Sequence, residues 1–407
     1  MTRKILTALL SLFIAAAAFA QYNDPNIPKP ASGYGADGTH TPAVISFTNV
    51  FLPGNNILIY YPSDIGTKVP TIFYSHAFGG NNPVNITAML EFVAKKGYAI
   101  VFVPYQTIGP TVEQRYGNLL AGFRKAARDY PNIIDTTKVG FMGHSFGGGA
   151  SFGNAYKCFT ENNWGSKGRF IYALAEWYSY NISQDELRNF PSDTKLLTEV
   201  FDDDETNDLR MAIDIFNNIN IPADEKDYLL LKSDTLNGYV YLSDHVVPNT
   251  SVFNAYDYYA YYRFIDALCD YTFNNNPAGK ATALGNGSAA QVTMPGGLKP
   301  LVYTDYPVVQ YPESKYLFPC DSTINPRLSY CPSNTFTFIG NGNWSVADNW
   351  LNRAVPPPAL AGDQFIIINP VDGGECILDV PQQIGYAAQL VVNTGKRLIV
   401  GGNLEEK

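Results

Sequence analysis

Histidine is scarce in this chain. Only His40, His76, His144 and His245 occur among its 407 residues, so any chemistry that needs an imidazole has few candidates. Cysteine is scarce as well, five in all, with no Cys-x-x-Cys pair and no Cys/His cluster. That excludes a zinc site of the usual ligand spacing. Positive charge is in deficit: 28 Lys and Arg stand against 37 Asp and Glu, a net −9. An acidic surface argues against nucleic acid or an anionic membrane as the main partner and leaves a neutral or cation-bridged substrate. Beyond the N-terminus no apolar run is long enough to span a bilayer.

What is present begins with an export signal. Arg3 and Lys4 precede an apolar run over 5–19, and Ala18-Phe19-Ala20 offers a small-x-small cleavage site. Residues 1–20 are therefore expected to leave as a signal peptide cleaved near Ala20, and the net charge then becomes −11. The mature chain is expected outside the cytoplasm, extracellular or periplasmic, with no lipid anchor because no Cys sits at the cleavage point. In that compartment Cys320 and Cys331, which bracket a short segment, are the expected disulfide pair. Cys158 and Cys269 fall at apolar helical positions and read as buried thiols.

Alternation of short β runs with helical stretches from about 46 to 275 predicts an α/β fold, a mostly parallel sheet flanked by helices. Strands at 46–52 and 56–61 are joined by Pro53-Gly54-Asn55, a hairpin signal. The runs 69–75 and 99–104 are continuously apolar, as parallel strands buried on both faces require. Further strands are expected at 138–143, 170–177, 195–201 and 227–231, and a Tyr-rich helix at 253–273 closes the unit. The stretch 274–330 is rich in Gly, Pro and Asn and reads as loops and short strands. The expected division is a catalytic domain over 21–315, a linker over 316–335 and a small all-β module over 336–407, opened by Trp344 and Trp350.

Chemistry concentrates at Gly143-His144-Ser145-Phe146-Gly147. An apolar strand runs into this motif and a small-residue helix start leaves it, the strand–turn–helix setting of a nucleophile elbow. Ser145 is the expected nucleophile. In this fold the acid and the base follow in that order, and His245 alone lies downstream, so it is the expected base. The acid must follow the strand 195–201, where Asp202-Asp203-Asp204-Glu205 crowds several carboxylates together. Asp204 is preferred, with Asp203 as the fallback. The oxyanion hole is expected from the backbone N–H of Phe146 and of Phe78, the latter in the loop Ser75-His76-Ala77-Phe78-Gly79-Gly80. The acidic run from Asp202 to Asp208 also offers oxygens for a hard cation such as Ca²⁺, although a solvated loop is the plainer reading. No cofactor or metal is expected.

Together, Ser75-His76-Ala77-Phe78, the elbow with Gly148-Gly149, Ala175-Glu176-Trp177, Phe201-Asp202-Asp203-Asp204 and Asp244-His245-Val246-Val247-Pro248-Asn249 resemble the cutinase-like polyester hydrolases. The plasma-type platelet-activating-factor acetylhydrolases are more distant relatives. The resemblance covers roughly 69–249. It implies an α/β-hydrolase fold, a Ser-His-Asp acyl-enzyme mechanism and an aromatic clamp formed by Phe78 and Trp177, and it supports Asp204. The implied partner is an ester, with polymeric and aromatic polyesters in range. Ala77 replaces the family's usual Gly, and Glu176 stands where Pro is common. The alternatives are a short-acyl carbohydrate or phospholipid esterase, and a non-catalytic adhesion protein. The W…NW opening of the last module resembles modules appended to secreted bacterial proteins, which implies attachment or sorting.

Overall fold

A computed structural model describes residues 22–250, 253–305, 307–320, 327, 335–360, 364–385 and 388–406. Cys331 and the 1–20 leader lie outside the described residues. The centre is a nine-stranded sheet. Its strands are β1 (Pro42–Thr48), β2 (Asn56–Pro62), β3 (Val69–Ser75), β4 (Ala99–Phe102), β5 (Ile134–His144), β6 (Arg169–Leu174), β7 (Lys195–Phe201) and β8 (Lys226–Leu231). A small hairpin, β9 (Asp234–Leu236) and β10 (Tyr239–Tyr241), follows, and β11 (Val302–Thr304) closes the sheet. The order is β1-β2-β4-β3-β5-β6-β7-β8-β11. From β4 to β8 every pairing is parallel, while β1, β2 and β11 are antiparallel edges.

Burial on both faces explains the unbroken apolar runs. Alternate residues of each strand enter two different cores. Ile72, Met142, Tyr172 and Leu197 face α1 (Thr87–Lys95) and the closing helix. Phe73, Phe141, Ile171 and Leu196 face α2 (Val112–Asp129) and α3 (Phe146–Asn162). This second face also carries α4 (Gln184–Arg188) and α5 (Arg210–Asn218). The result is a three-layer α/β arrangement with a large, mostly parallel sheet. Its parallel strands end at one edge, where side chains from different loops can converge.

Two regions differ from expectation. The closing helix expected over 253–273 is two pieces: a π-helical stretch, Tyr256–Tyr262, runs into α6 (Arg263–Asn274). The Gly- and Pro-rich stretch after it holds α7 (Pro277–Ala283) and α8 (Ala289–Val292) besides β11. Asn276 and Ser288 cap these short helices by accepting from the N–H of Ala278 and Gln291. No apolar periodicity marks them, because so short a helix needs only its cap and one buried face.

The expected linker over 316–335 is tied down where it is described. Leu317 and Phe318 donate backbone hydrogen bonds to Glu205 and Thr206, and Asp208 donates to Phe318. Arg327 is buried against Asp214 at 2.7 Å. Cys320 is disulfide-bonded, and its expected partner, Cys331, lies outside the described residues. Cys158, Cys269 and Cys376 are buried free thiols.

Beyond Thr335 the chain makes β12 (Thr335–Phe338), β13 (Gly342–Asn343), β14 (Ala359–Leu360), β15 (Phe365–Ile368), β16 (Cys376–Leu378), β17 (Gln382–Ile384), β18 (Gln389–Val392), β19 (Leu398–Val400) and β20 (Leu404–Glu406). They pair in three parallel sheets, β12-β15-β18, β13-β16-β19 and β14-β17-β20. Successive strands step from sheet to sheet, so the chain coils as a parallel solenoid. Trp344 and Trp350 are both buried in its core, edge to face at 4.7 Å, and the Trp350 indole N–H donates to the Trp344 carbonyl. Among the described residues no helix is long and apolar enough to cross a membrane.

Candidate active site

Ser145 sits between the end of β5 and the first residue of α3. Its backbone has φ 57° and ψ −122°, a conformation that a non-glycine residue adopts only at a cost of about 1–3 kcal/mol. Three hydrogen bonds hold it there: Ser145 N–H donates to Leu174 O at 2.9 Å, and Ser145 O accepts from Gly149 at 3.2 Å and from Trp177 at 2.9 Å. The flanking glycines are a steric demand. A Cβ on Gly147 would stand 1.9 Å from Ser75 O, and one on Gly143 would stand 2.2 Å from Gly147 O. The turn therefore closes only with hydrogen at both positions.

His245 arrives from the loop after β10. Its Nδ1 lies 2.8 Å from Asp204 Oδ2 and its Nε2 lies 2.9 Å from Ser145 Oγ. An ionised carboxylate can only accept, so Nδ1 carries the proton and Nε2 is left to accept from the serine hydroxyl. Asp204 is fully buried, and its second oxygen accepts the backbone N–H of Thr206 at 2.7 Å and of Asn207 at 3.0 Å. The structure thus brings Ser145, His245 and Asp204 into one hydrogen-bonded line. Asp203 is exposed and is not hydrogen-bonded to His245. The geometry selects Asp204 because the loop turns once more after the strand before its side chain faces inward.

The other three histidines have separate places. His40 pairs with Asp64 at the surface. His76 is buried: its Nδ1 donates to Ala77 O at 2.7 Å, its Nε2 accepts from Tyr105 N–H at 3.2 Å, and its ring stacks on Tyr105 at 4.0 Å. Burial lowers its pKa to about 4, so it stays a neutral brace for the loop that carries Phe78. His144 does more than fill the elbow. Its Nε2 donates to the backbone carbonyl of His245 at 2.6 Å, and its ring lies 4.9 Å from that of His245. Burial, with the neighbouring His245 second, holds its pKa well below the usual range, so it grips the base loop as a neutral ring.

Phe78 and Phe146 lie side by side. Their rings meet edge to face at 6.3 Å, with Phe146 buried and Phe78 54% exposed. Phe146 is the first residue of α3, so its N–H has no partner within the helix and is available to a ligand. Trp177 is half-buried and packs edge to face on Phe318 at 4.5 Å. Glu176, at the position where Pro is common in the family resembled, lies buried behind the first turn of α3, against Gly148. Burial pushes its pKa well above the carboxylate range, with Asp214 adding to the effect and Arg327 opposing it.

Three carboxylates of the acidic run have protein partners. Asp202 accepts from the Tyr311 hydroxyl, Asp204 serves His245, and Asp208 Oδ2 accepts from both Nε and Nη2 of Arg210 at 2.8 and 2.5 Å. Among the described residues no group of three or more His, Cys, Asp or Glu is arranged to hold a metal ion.

Asn207 is a site residue that the sequence reading does not single out. It is buried, its Nδ2 donates to Ala175 O at 2.9 Å, and the same nitrogen lies 3.5 Å from Ser145 Oγ. The signal was local: an Asp whose side chain accepts from the N–H groups two and three residues on is an Asx-type turn, and that turn delivers Asn207 inward. No protein-family model matches the chain, and no curated protein matches it.

Proposed function

We propose that the chain is a secreted serine ester hydrolase of α/β-hydrolase type that cleaves carboxylic esters through an acyl-enzyme. One observation carries this reading: Asp204, His245 and Ser145 are joined by hydrogen bonds of 2.8 and 2.9 Å, with the serine on a strained turn at the edge where the parallel strands end. A chain of acceptor, imidazole and hydroxyl with this polarity raises the nucleophilicity of the hydroxyl.

The reaction follows from the proton positions. His245 Nε2 takes the Ser145 proton as Oγ bonds to the ester carbonyl carbon. The carbonyl π pair moves onto oxygen, where the N–H groups of Phe146 and Phe78 stabilise it. Asp204 stays ionised and steadies the imidazolium. Collapse of the intermediate breaks the bond to the alcohol oxygen, and His245 returns the proton to that leaving group. Water then repeats the sequence on the acyl-enzyme and releases the acid.

The substrate class rests on the cleft walls. Exposed Phe78 and half-buried Trp177 give the acyl side two aromatic surfaces, which favours bulky, aromatic or polymeric esters over small polar acyl groups. The solenoid of the last domain is proposed as an attachment or sorting unit. The decisive test is covalent: a fluorophosphonate should label Ser145, and Ser145→Ala should lose both labelling and release of p-nitrophenol from p-nitrophenyl butyrate. Turnover retained in purified Ser145→Ala would overturn the assignment, and a wild type that takes no label would favour a non-catalytic binding protein.

A further inference from the structure

Beside the two candidate oxyanion residues stands a cation that the ester chemistry above does not use. Arg115 stands in the first turn of α2. Its guanidinium carbon lies 5.4 Å from the centre of the Phe78 ring and 5.7 Å from that of Phe146. These are the two residues assigned to the oxyanion hole, so the guanidinium rests on an aromatic corner beside the reacting carbonyl. Among the described residues no carboxylate pairs with it, and its Nε is shielded from solvent without a hydrogen-bond partner. Glu113, two positions earlier, is turned to the start of the helix, where its own N–H and Thr111 hold its pKa low.

Two buried arginines differ from Arg115. Arg210 is paired with Asp208 and Glu313, and Arg327 with Asp214. In a chain with nine more acidic than basic groups, Arg115 stands beside the two candidate oxyanion residues with no carboxylate partner among the described residues. Stacking on aromatic faces holds a guanidinium in place and leaves its in-plane N–H groups for a planar anion.

The side of the substrate is set by the triad. His245 must reach the leaving oxygen, so the alcohol lies towards the His245 loop, and the acyl substituent extends past Phe78 and Phe146. We infer that Arg115 anchors a carboxylate carried on the acyl part of the substrate, so that the site favours half-esters of dicarboxylic acids over neutral acyl esters of equal length. The inference rests on the esterase reading of Ser145. Fragments of a polyester that keep one ester bond beside a free acid end are substrates of this kind.

The test compares mono-p-nitrophenyl glutarate with p-nitrophenyl valerate on the full chain. Wild type should show the higher kcat/KM on the glutarate. In Arg115→Gln the glutarate-to-valerate ratio should fall about tenfold or more, mainly through KM, and added salt should lower the ratio in wild type but not in the variant. A ratio unchanged by the substitution overturns the anchor while leaving the esterase standing. Absence of turnover of both esters by wild type overturns both. If the variant does not fold, inhibition of wild-type valerate hydrolysis decides: free glutarate should inhibit more strongly than free valerate, and equal inhibition overturns the anchor.

Discussion

The side-chain nitrogen of Asn207 lies 3.5 Å from Ser145 Oγ, while the backbone N–H of the same residue donates to Asp204 at 3.0 Å. The candidate nucleophile and acid, which follow the ends of β5 and β7, are thereby tied through one buried amide. Its orientation is fixed by Ala175, whose carbonyl can only accept and is 2.9 Å away. Asn207→Ala should lower kcat by about tenfold with KM little changed, and should cost about 1–3 kcal/mol because Ala175 O is left buried without its donor. Steady-state kinetics and urea unfolding measure the two effects. A stability loss with kcat intact would reduce Asn207 to a structural residue.

Asp204 and Asp203 give a paired test of the acid. Asp204→Asn should keep the fold and lower kcat by roughly 10³–10⁴, because an amide facing Nδ1 no longer holds the tautomer that leaves Nε2 free. Exposed Asp203→Ala should leave kcat unchanged and shift stability by less than about 0.5 kcal/mol. Equal effects at the two positions would show that the relay is assigned to the wrong carboxylate.

Glu199 sets a pH dependence of stability. It is fully buried on β7, where it accepts from the Tyr172 hydroxyl; desolvation raises its pKa from 4.5 to about 8 against the smaller opposing pull of Tyr172 and Arg263. The folded chain therefore holds a proton there that the unfolded chain releases above about 4.5. The stability gained from a neutral carboxyl is fully present below that value and is lost as pH rises through about 8. Wild type should lose stability relative to Glu199→Gln between pH 5 and 8, as read by urea midpoints across that range. A difference that does not vary with pH would show that Glu199 is charged when folded.

The aromatic walls should separate binding from stability. Phe78→Ala removes an exposed ring and should leave the melting temperature within about 2 °C of wild type, a surface-sized effect. It should raise KM for benzoate esters more than for acetates. Trp177→Ala should show the same selectivity and also destabilise, since the indole supports Phe318. Parallel loss on both ester classes would remove the clamp from the proposal.

Arg327 is fastened to α4 and α5. Its Nε donates to Asp214 Oδ2 at 2.7 Å and its Nη2 to Gln184 at 3.0 Å, with both ionic partners buried. Arg327→Ala should cost about 3–5 kcal/mol by stranding Asp214, and Arg327→Met combined with Asp214→Leu should recover most of it. Chemical denaturation of the two variants provides the measurement.

Several parts of the site could be read before any fold was known. Gly143, Ser145 and Gly147 are legible because a tight turn writes its steric needs into adjacent residues. His245 follows by elimination, which works only because histidine is so scarce. Trp344 and Trp350 mark a core, but their sequence does not say whether their strands pair side by side or coil. That choice depends on partners more than twenty residues away, such as Phe365 with Gln389.

By itself the sequence determined the α/β alternation, the elbow around Ser145 and the short list from which its partners come. Each of these depends on local periodicity or on the conformational needs of neighbouring residues. Tertiary structure placed the preferred Asp204, not Asp203, against His245, and it alone decided that Asn207 and His144 brace the relay and that 317–320 lies on the acid loop. Those outcomes depend on which buried polar groups find partners across the fold, a condition satisfied by distant residues together and visible in none of them separately.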